Sequence, residues 1–337
     1  MKNLSLIDKL LFFINSIVAT LLLLSFSGLY ISPNTISFLS LISLLVPFLI
    51  IINVIFGIYW LLKLKRQFFL SAIVLLLSFY HITKFYRFSE KKVMYTNDVK
   101  IMSYNVRMFN IYKWIDKENV DEKIFDFIES KSPDILCIQE FHSDKNIKFN
   151  YPYKYINVGK RNRKFGDAIF SKYKIINSGS LNFENTTNNA IFADIVKNND
   201  TIRVYNVHLE SLKINPKEET FNKENSEKLR FRLENAFKKQ ANQVTLIKLH
   251  QEKINYKTII CGDFNNTAFS WAYHQLKENK NDAFEEAGNN FGKTYDLKFP
   301  FRIDFILTDK QMEIHNFKTY NIPYSDHNPI MARVSFN

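Results

Sequence analysis

Six short apolar runs in this 337-residue sequence end beside, or contain, side chains of a restricted type. Asn105 lies in Val99–Val106, Glu140 follows Asp134–Gln139, and His208 closes Thr201–His208. Asp263 and Asn265 follow Thr258–Cys261, Asp304 lies within Arg302–Leu307, and Ser325-Asp326-His327 precedes Ile330–Phe336. Carboxylates, amides and imidazoles are the groups that hold a hard divalent cation, position a phosphoryl oxygen and move a proton. Each residue also has a plainer reading. Asp263 and Asn265 after Gly262 suit an Asx turn, and Glu140 suits a solvated residue leaving a strand. A lone His208 or His327 suits a structural histidine, and Asn105 a turn. Asp304 is the sharpest of the set, because a carboxylate between Ile303 and Phe305 inside a strand is costly without a partner.

Stepping outward, strand-like runs also cover Tyr153–Val158, Asp167–Ser171, Ala190–Val196 and Ile314–Tyr320. Helical periodicity covers Val120–Lys131, Ser226–His250 and Ser270–Glu278. The mixture is α/β or α+β. Several consecutive strands between helices do not suit a pure βαβ winding, so sheets packed face to face with helices outside are expected. Strand ends that share one edge of such a sheet can converge.

The first part of the chain belongs to a different solvent. No charged residue lies between Lys9 and Lys63 or between Arg66 and Lys84. Up to Glu90 there are seven basic and two acidic residues, which leaves 38 of the 45 Lys+Arg and 31 of the 33 Asp+Glu for the rest. A helix crosses hydrocarbon in about 20 apolar residues because it satisfies its own backbone. Spans are therefore expected at about 10–30, 36–62 and 68–85, the third being shorter, and the composition shift divides the chain into a membrane module, 1–92, and a soluble domain, 93–337. A cleaved signal peptide fits poorly, since the first run is too long and a second span follows it. Lys2, Lys9, Lys63, Lys65 and Arg66 would share one side, against Lys84, Arg87, Lys91 and Lys92 on the other. By the excess of basic residues inside, the N-terminus is cytoplasmic and, after three spans, the soluble domain is extracytoplasmic. Cys137 and Cys261 sit in apolar runs and read as buried free thiols. The modest positive surplus of the second part permits an anionic substrate but is weaker than a nucleic-acid-binding footprint.

The order and wording of the six runs add more than any one of them. Ser103-Tyr-Asn-Val106, Asp134-Ile-Leu-Cys-Ile-Gln-Glu140, Asn206-Val-His-Leu209, Gly262-Asp-Phe-Asn265, Arg302-Ile-Asp304 and Ser325-Asp-His327 closely resemble, in sequence order, the motifs of the endonuclease/exonuclease/phosphatase superfamily, the deoxyribonuclease I-like fold. Gly166-Asp-Ala-Ile-Phe-Ser171 and Lys239-Gln-Ala241 resemble its connecting segments. The resemblance covers about Val99 to Asn337. It implies a four-layer α/β/β/α sandwich and a divalent-metal phosphoesterase site, with Mg²⁺ or Mn²⁺ as cofactor and a nucleic acid or a lipid or inositol phosphate as substrate. Carried over by position, Glu140 is the principal metal ligand with Asn105 beside it and Asp326 in reach. Asp263 and Asn265 orient or activate the attacking water and hold the phosphoryl group, His208 contacts a phosphate oxygen, and Asp304 fixes and charges His327. One departure is Arg107-Met108, where apurinic-type repair nucleases carry an acidic residue followed by glycine. The basic loop Lys160–Lys164 offers Arg161 and Arg163 to a second phosphate, or is a solvated charged turn. The expected protein is a multi-pass enzyme of the inner cell membrane, with the bilayer and a phosphoester as its partners and no protein partner indicated. The alternative is a catalytically silent membrane scaffold, whose signature, loss of a matched position, is not present.

Overall fold

The computed structural model of the chain describes residues 4–143, 149–159, 164–214 and 223–335. Two compact units emerge: Met1–Tyr86 with Ile214–Ala241 and Thr267–His274, and Arg87–Lys213 with Asn242–Asn266 and Gln275–Asn337.

The first unit begins with α1 (Leu6–Ser25), prolonged by a 3-10 turn over Phe26–Leu29, then α2 (Phe38–Leu62), α3 (Phe68–Leu77) and α4 (Phe79–Phe85). Two stretches, Leu6–Leu29 and Phe38–Leu62, are long and apolar enough to cross a membrane. The expected third span, 68–85, is a pair of helices, Phe68–Leu77 and Phe79–Phe85, bent by 68°, which makes a third crossing if the pair counts as one span. Burial here is inverted relative to a water-soluble bundle. Asn15, Ser43, Asn53 and Ser71 are fully buried, while Leu10, Phe13, Ile55 and Leu76 are exposed. Polar groups between helices with apolar groups outside is the pattern that lipid selects. Asn15 joins three helices: it donates from Nδ2 to Ser71 Oγ at 3.0 Å and accepts from Trp60 Nε1 at 3.0 Å. Nearer the start of α1, Asp8 accepts from Tyr59 Oη and Lys63 Nζ, both at 2.7 Å. Beyond Ser25, Phe26 stacks on His81 with centroids 4.1 Å apart. The same unit takes in Phe269, which is buried in the apolar cluster of Ala19, Leu22, Leu39 and Ile42.

The second unit is a sandwich of two six-stranded sheets. Its strands are β1 (Val99–Asn105), β2 (Ile135–His142), β3 (Tyr153–Val158), β4 (Phe165–Ser171), β5 (Lys174–Ser180), β6 (Ala190–Lys197), β7 (Asp200–His208), β8 (Lys257–Asp263), β9 (Lys280–Asp282), β10 (Asp304–Asp309), β11 (Ile314–Thr319) and β12 (Ile330–Val334). Strand order is β11-β12-β1-β2-β4-β3 in one sheet and β5-β6-β7-β8-β10-β9 in the other. Pairing is antiparallel except at β1/β2 and β7/β8. Those two central parallel pairs are joined by crossover helices, α5 (Val120–Lys131) and α6 (Lys223–Gln251). A βαβ crossover therefore does occur, once in each sheet, inside an otherwise antiparallel frame. α7 (Trp271–Lys277) lies between β8 and β9 in the chain, and α8 (Ala283–Ala287) between β9 and β10.

Period-two patterning builds the layers. Val99, Ile101, Ile135, Cys137 and Ile169 of one sheet meet Ile191, Ala193, Val204, Ile259, Cys261 and Ile306 of the other in one buried core. The alternate residues Met102, Tyr104, Leu136, Ile138 and Phe170 face outward onto Val120, Ile124 and Ile128 of α5. Both cysteines are buried and unbridged, as their apolar runs imply.

Candidate active site

Three neighbouring strands place three of the expected residues in one rung. On β8, Asp263 is the register partner of His208 at the end of β7 and of Asp304 at the start of β10. Asp304 therefore opens its strand rather than sitting within it. That relieves the cost of a carboxylate in a strand interior, and the remainder is met by His327, whose Nδ1 lies 3.0 Å from Asp304 Oδ2. His327 Nε2 points to Asp263 Oδ2 at 3.6 Å, and His208 Nε2 is also 3.6 Å from that oxygen. The ring tautomer of His327 is thus set from the Asp304 side, and the other nitrogen is turned into the site.

The opposite sheet supplies Asn105 and Glu140. Asn105 Nδ2 donates to Glu140 Oε1 at 3.3 Å and across the sandwich to Asp263 Oδ2 at 3.1 Å. Asn105 closes β1, and Glu140 lies near the carboxyl end of its parallel neighbour β2, the edge where open α/β sheets gather ligands. Glu140 does not end its strand. It sits within β2 at a break of register between Ile138 and Phe141, with φ of +52°. A bulge re-aims a side chain, and a left-handed glutamate costs about 1–3 kcal/mol that the surrounding pairing must hold. Asn265, also left-handed, donates its backbone N–H to Asp263 Oδ1 at 2.7 Å. The Asx turn and the site are therefore the same structure: the turn fixes the Asp263 carboxylate.

Beneath the site, Gln139 Nε2 donates to Asn206 Oδ1 at 2.6 Å, and Asn206 Nδ2 donates to the carbonyls of Ile138 and Ala168. This buried polar layer ties the two sheets together where the candidate site side chains emerge. Asp326 takes Arg107 Nη1 at 3.3 Å and Ser325 Oγ at 3.3 Å. Arg161 and Arg163 lie outside the described residues. No motif or spacing points to Thr294 or Tyr295. The Thr294 hydroxyl accepts the N–H groups of Ile303 and Asp304, and its carbonyl accepts that of Asn328. The Tyr295 ring lies 5.0 Å from that of His327. These contacts hold the Asp304 and His327 loops together.

The electrostatics follow from burial among like charges. Burial holds the Glu140 carboxyl above its ordinary range, and the Asp326 charge adds to this against the opposing effect of His327. Burial likewise raises Asp263, partly offset by His327. The His327 imidazole loses some basicity to burial but gains more from Asp304 and Asp263, and ends well above its ordinary value. The Glu140 and Asp326 carboxylates repel each other, a repulsion that a hard cation bound by carboxylate oxygens relieves, so with the Asn105 amide beside Glu140 these residues fit Mg²⁺ or Mn²⁺. Asp263, Asp304 and His327 also offer three ligand atoms within 4.8 Å of one another.

Two facing sheets carrying an Asp-His pair, an asparagine-bridged glutamate and a second buried aspartate at one edge define a hydrolase of the phosphoesterase and nuclease class. Residues 102–327 match the endonuclease/exonuclease/phosphatase family, and the chain belongs to that family. Residues 8–85 match a domain of unknown function, DUF8431. No curated protein matches the chain. Among solved structures, an endonuclease/exonuclease/phosphatase from Bacteroides vulgatus is 19% identical with a TM-score of 0.53, over 71% of this chain and 99% of the other. The human Nocturnin catalytic domain, with bound sulfate, is 17% identical with a TM-score of 0.52, over 75% and 97%. A mannosyl-6-phosphatase from Bacteroides thetaiotaomicron is 16% identical with a TM-score of 0.53, over 71% and 100%. At these identities the likeness shows the shared fold.

Proposed function

We propose that the protein is a membrane-anchored, divalent-metal-dependent phosphoesterase that cleaves a phosphodiester or phosphomonoester by water attack. The observation that carries this reading is the continuous chain Asp304–His327–Asp263–Asn105–Glu140, which runs from one sheet to the other with every link between 3.0 and 3.6 Å. Glu140, Asn105 and Asp326 would hold the ion, which when bound supplies positive charge to the phosphoryl oxygens. Asp263, fixed by the Asn265 N–H, accepts the proton of the attacking water, with Asn265 beside it to orient the phosphoryl group. His327, charged and steered by Asp304, and His208 on the adjacent strand donate to phosphate oxygens as negative charge builds there. Residues 1–92 anchor the enzyme in the inner cell membrane with residues 93–337 as the extracytoplasmic catalytic domain. Arg161 and Arg163 are candidates for a second phosphate contact.

The test uses the full-length chain in detergent, with bis(4-nitrophenyl) phosphate and 4-nitrophenyl phosphate, with and without Mg²⁺ or Mn²⁺. Metal-dependent release of nitrophenol from either ester is expected. Failure on both substrates at every metal concentration would return the protein to the scaffold reading.

A further inference from the structure

The loop that follows the Asp263 turn does not stay with the sandwich. Residues Thr267–His274 belong to the compact unit of the apolar helices. Phe269 is 4% exposed and lies in the cluster of Ala19, Leu22, Leu39, Ile42 and Val46. The His81 ring lies 6.3 Å from Phe269, Tyr30 meets His274 edge-on at 4.9 Å, and Lys84 lies 5.6 Å from the Tyr273 ring. Phe26, Tyr30, His81 and Lys84 all sit at one end of the helices, the end from which the chain leaves at Tyr86 for the catalytic unit. Tyrosine and lysine at the end of an apolar span mark the headgroup level of a bilayer. Phe269 is only four residues beyond Asn265, and four residues of chain reach at most about 14 Å. Whatever pose the two units adopt, the turn that carries Asp263 and Asn265 is therefore leashed to the interfacial end of the helices.

We infer that the helices are part of the substrate-recognition apparatus and that the substrate is a phosphoester resident in the bilayer, its phosphate lying in the headgroup layer. A tether meant only to localise the enzyme needs one attachment, at the end of the last helix. Here the chain returns from the Asp263–Asn265 turn and buries a phenylalanine among the helices, a second attachment four residues beyond Asn265. A phosphate held in the headgroup layer lies within the reach that this leash enforces, whereas a polymeric substrate in bulk water gains nothing from it.

This inference rests on the phosphoesterase reading, and the experiment separates the two. Full-length protein is reconstituted in vesicles containing phosphatidylethanolamine, phosphatidylglycerol and phosphatidylinositol 4-phosphate. kcat/KM for each headgroup phosphoester is compared with that for its deacylated glycerophospho counterpart, for single-stranded DNA and for bis(4-nitrophenyl) phosphate. At least one vesicle lipid is expected to be cleaved tenfold or more better than its deacylated counterpart and than DNA. Phe269→Ala, and Tyr30→Ala at an exposed position that leaves the fold intact, should each lower the lipid rate fivefold or more, with the nitrophenyl diester rate held within twofold. Equal or better cleavage of the deacylated ester or of DNA overturns the inference alone, as does cleavage of the nitrophenyl diester with no lipid turned over. Equal losses on lipid and nitrophenyl diester in both variants overturn it too, since the loop would then be merely structural. No cleavage of any ester removes the phosphoesterase reading and the inference together.

Discussion

At the scale of single residues, Asp304 and His327 are expected to act as one unit although 23 positions separate them in the chain. Asp304→Ala and His327→Ala should each lower kcat by about 10²–10⁴-fold, the range of a positioned acid or base, and the double variant should lose little more. Multiplied losses would mean that the two serve different steps. The sign of the pH effect is fixed by the same contact. The Asp304 and Asp263 charges raise the imidazole pKa despite its burial, so the protonated ring persists through neutral pH and is lost as pH climbs past that raised value. Asp304→Asn removes one of the two charges, and the alkaline limb of the kcat profile should move to lower pH. Glu140→Gln keeps the shape of the side chain and removes the charge offered to a cation. Its activity should fall at low Mg²⁺ and partly return at high Mg²⁺; unchanged activity at low Mg²⁺ would take Glu140 out of the metal site.

At the scale of elements, the catalytic rung depends on how closely β7 and β8 approach. Gly262 has φ of +138°, and a Cβ there would fall 1.9 Å from the Val207 carbonyl oxygen. Gly262→Ala must push apart the two strands that present His208 and Asp263, at a cost of about 3 kcal/mol or more from backbone strain and overpacking. The thermal midpoint should drop by about 6–12 °C, with loss of activity even below it; a midpoint unchanged in a thermal melt would show that the strands are not so tightly apposed. Long periodic elements are legible in the sequence itself: α5 has the expected limits, and β1, β2, β7 and β8 carry their polar ends in apolar, β-branched runs. The edge strand β5, Lys-Ile-Ile-Asn-Ser-Gly-Ser, half exposed and rich in turn formers, was not readable, nor were the three-residue β9 and the five-residue α8. Elements so short are made by their neighbours rather than by their own pattern. The site divides in the same way. Its strand-end residues were legible because each ends a strong local pattern. The left-handed bulge at Glu140 and the Thr294 clasp on Asp304 exist only through contacts made across the fold.

At the scale of the whole molecule, the bent pair α3–α4 bears on the proposed orientation of the catalytic domain across the bilayer. If the pair dips in and returns, the chain crosses twice and the domain shares a side with the N-terminus; if it is a broken span, the chain crosses three times and the domain is opposite. The contacts within the helical unit favour the second. Asp8, near the start of α1, pairs with Lys63 at the end of α2, so both ends lie on one face together with Lys65 and Arg66. α3 begins at Phe68, just after that basic cluster, and Ser71 meets Asn15 in the first half of α1. Ten residues later, His81 stacks on Phe26, at the far end of the first span. From Asp8 to Phe26 the helix advances about 27 Å, close to the roughly 30 Å thickness of the hydrocarbon. The bent pair therefore runs alongside α1 from one face to the other. With Lys9, Lys63, Lys65 and Arg66 gathered at the starting face, the proposed orientation, which puts the excess of basic residues inside, would have that face in the cytoplasm and the catalytic domain outside. Protease added to intact spheroplasts should digest the domain while a cytoplasmic marker survives. Protection until lysis would reverse the orientation. The pull of Lys84, Arg87, Lys91 and Lys92 at the opposite face also makes a specific variant informative: Lys63→Gln with Lys65→Gln removes two of the cytoplasmic charges and should shift part of the population to the protected form.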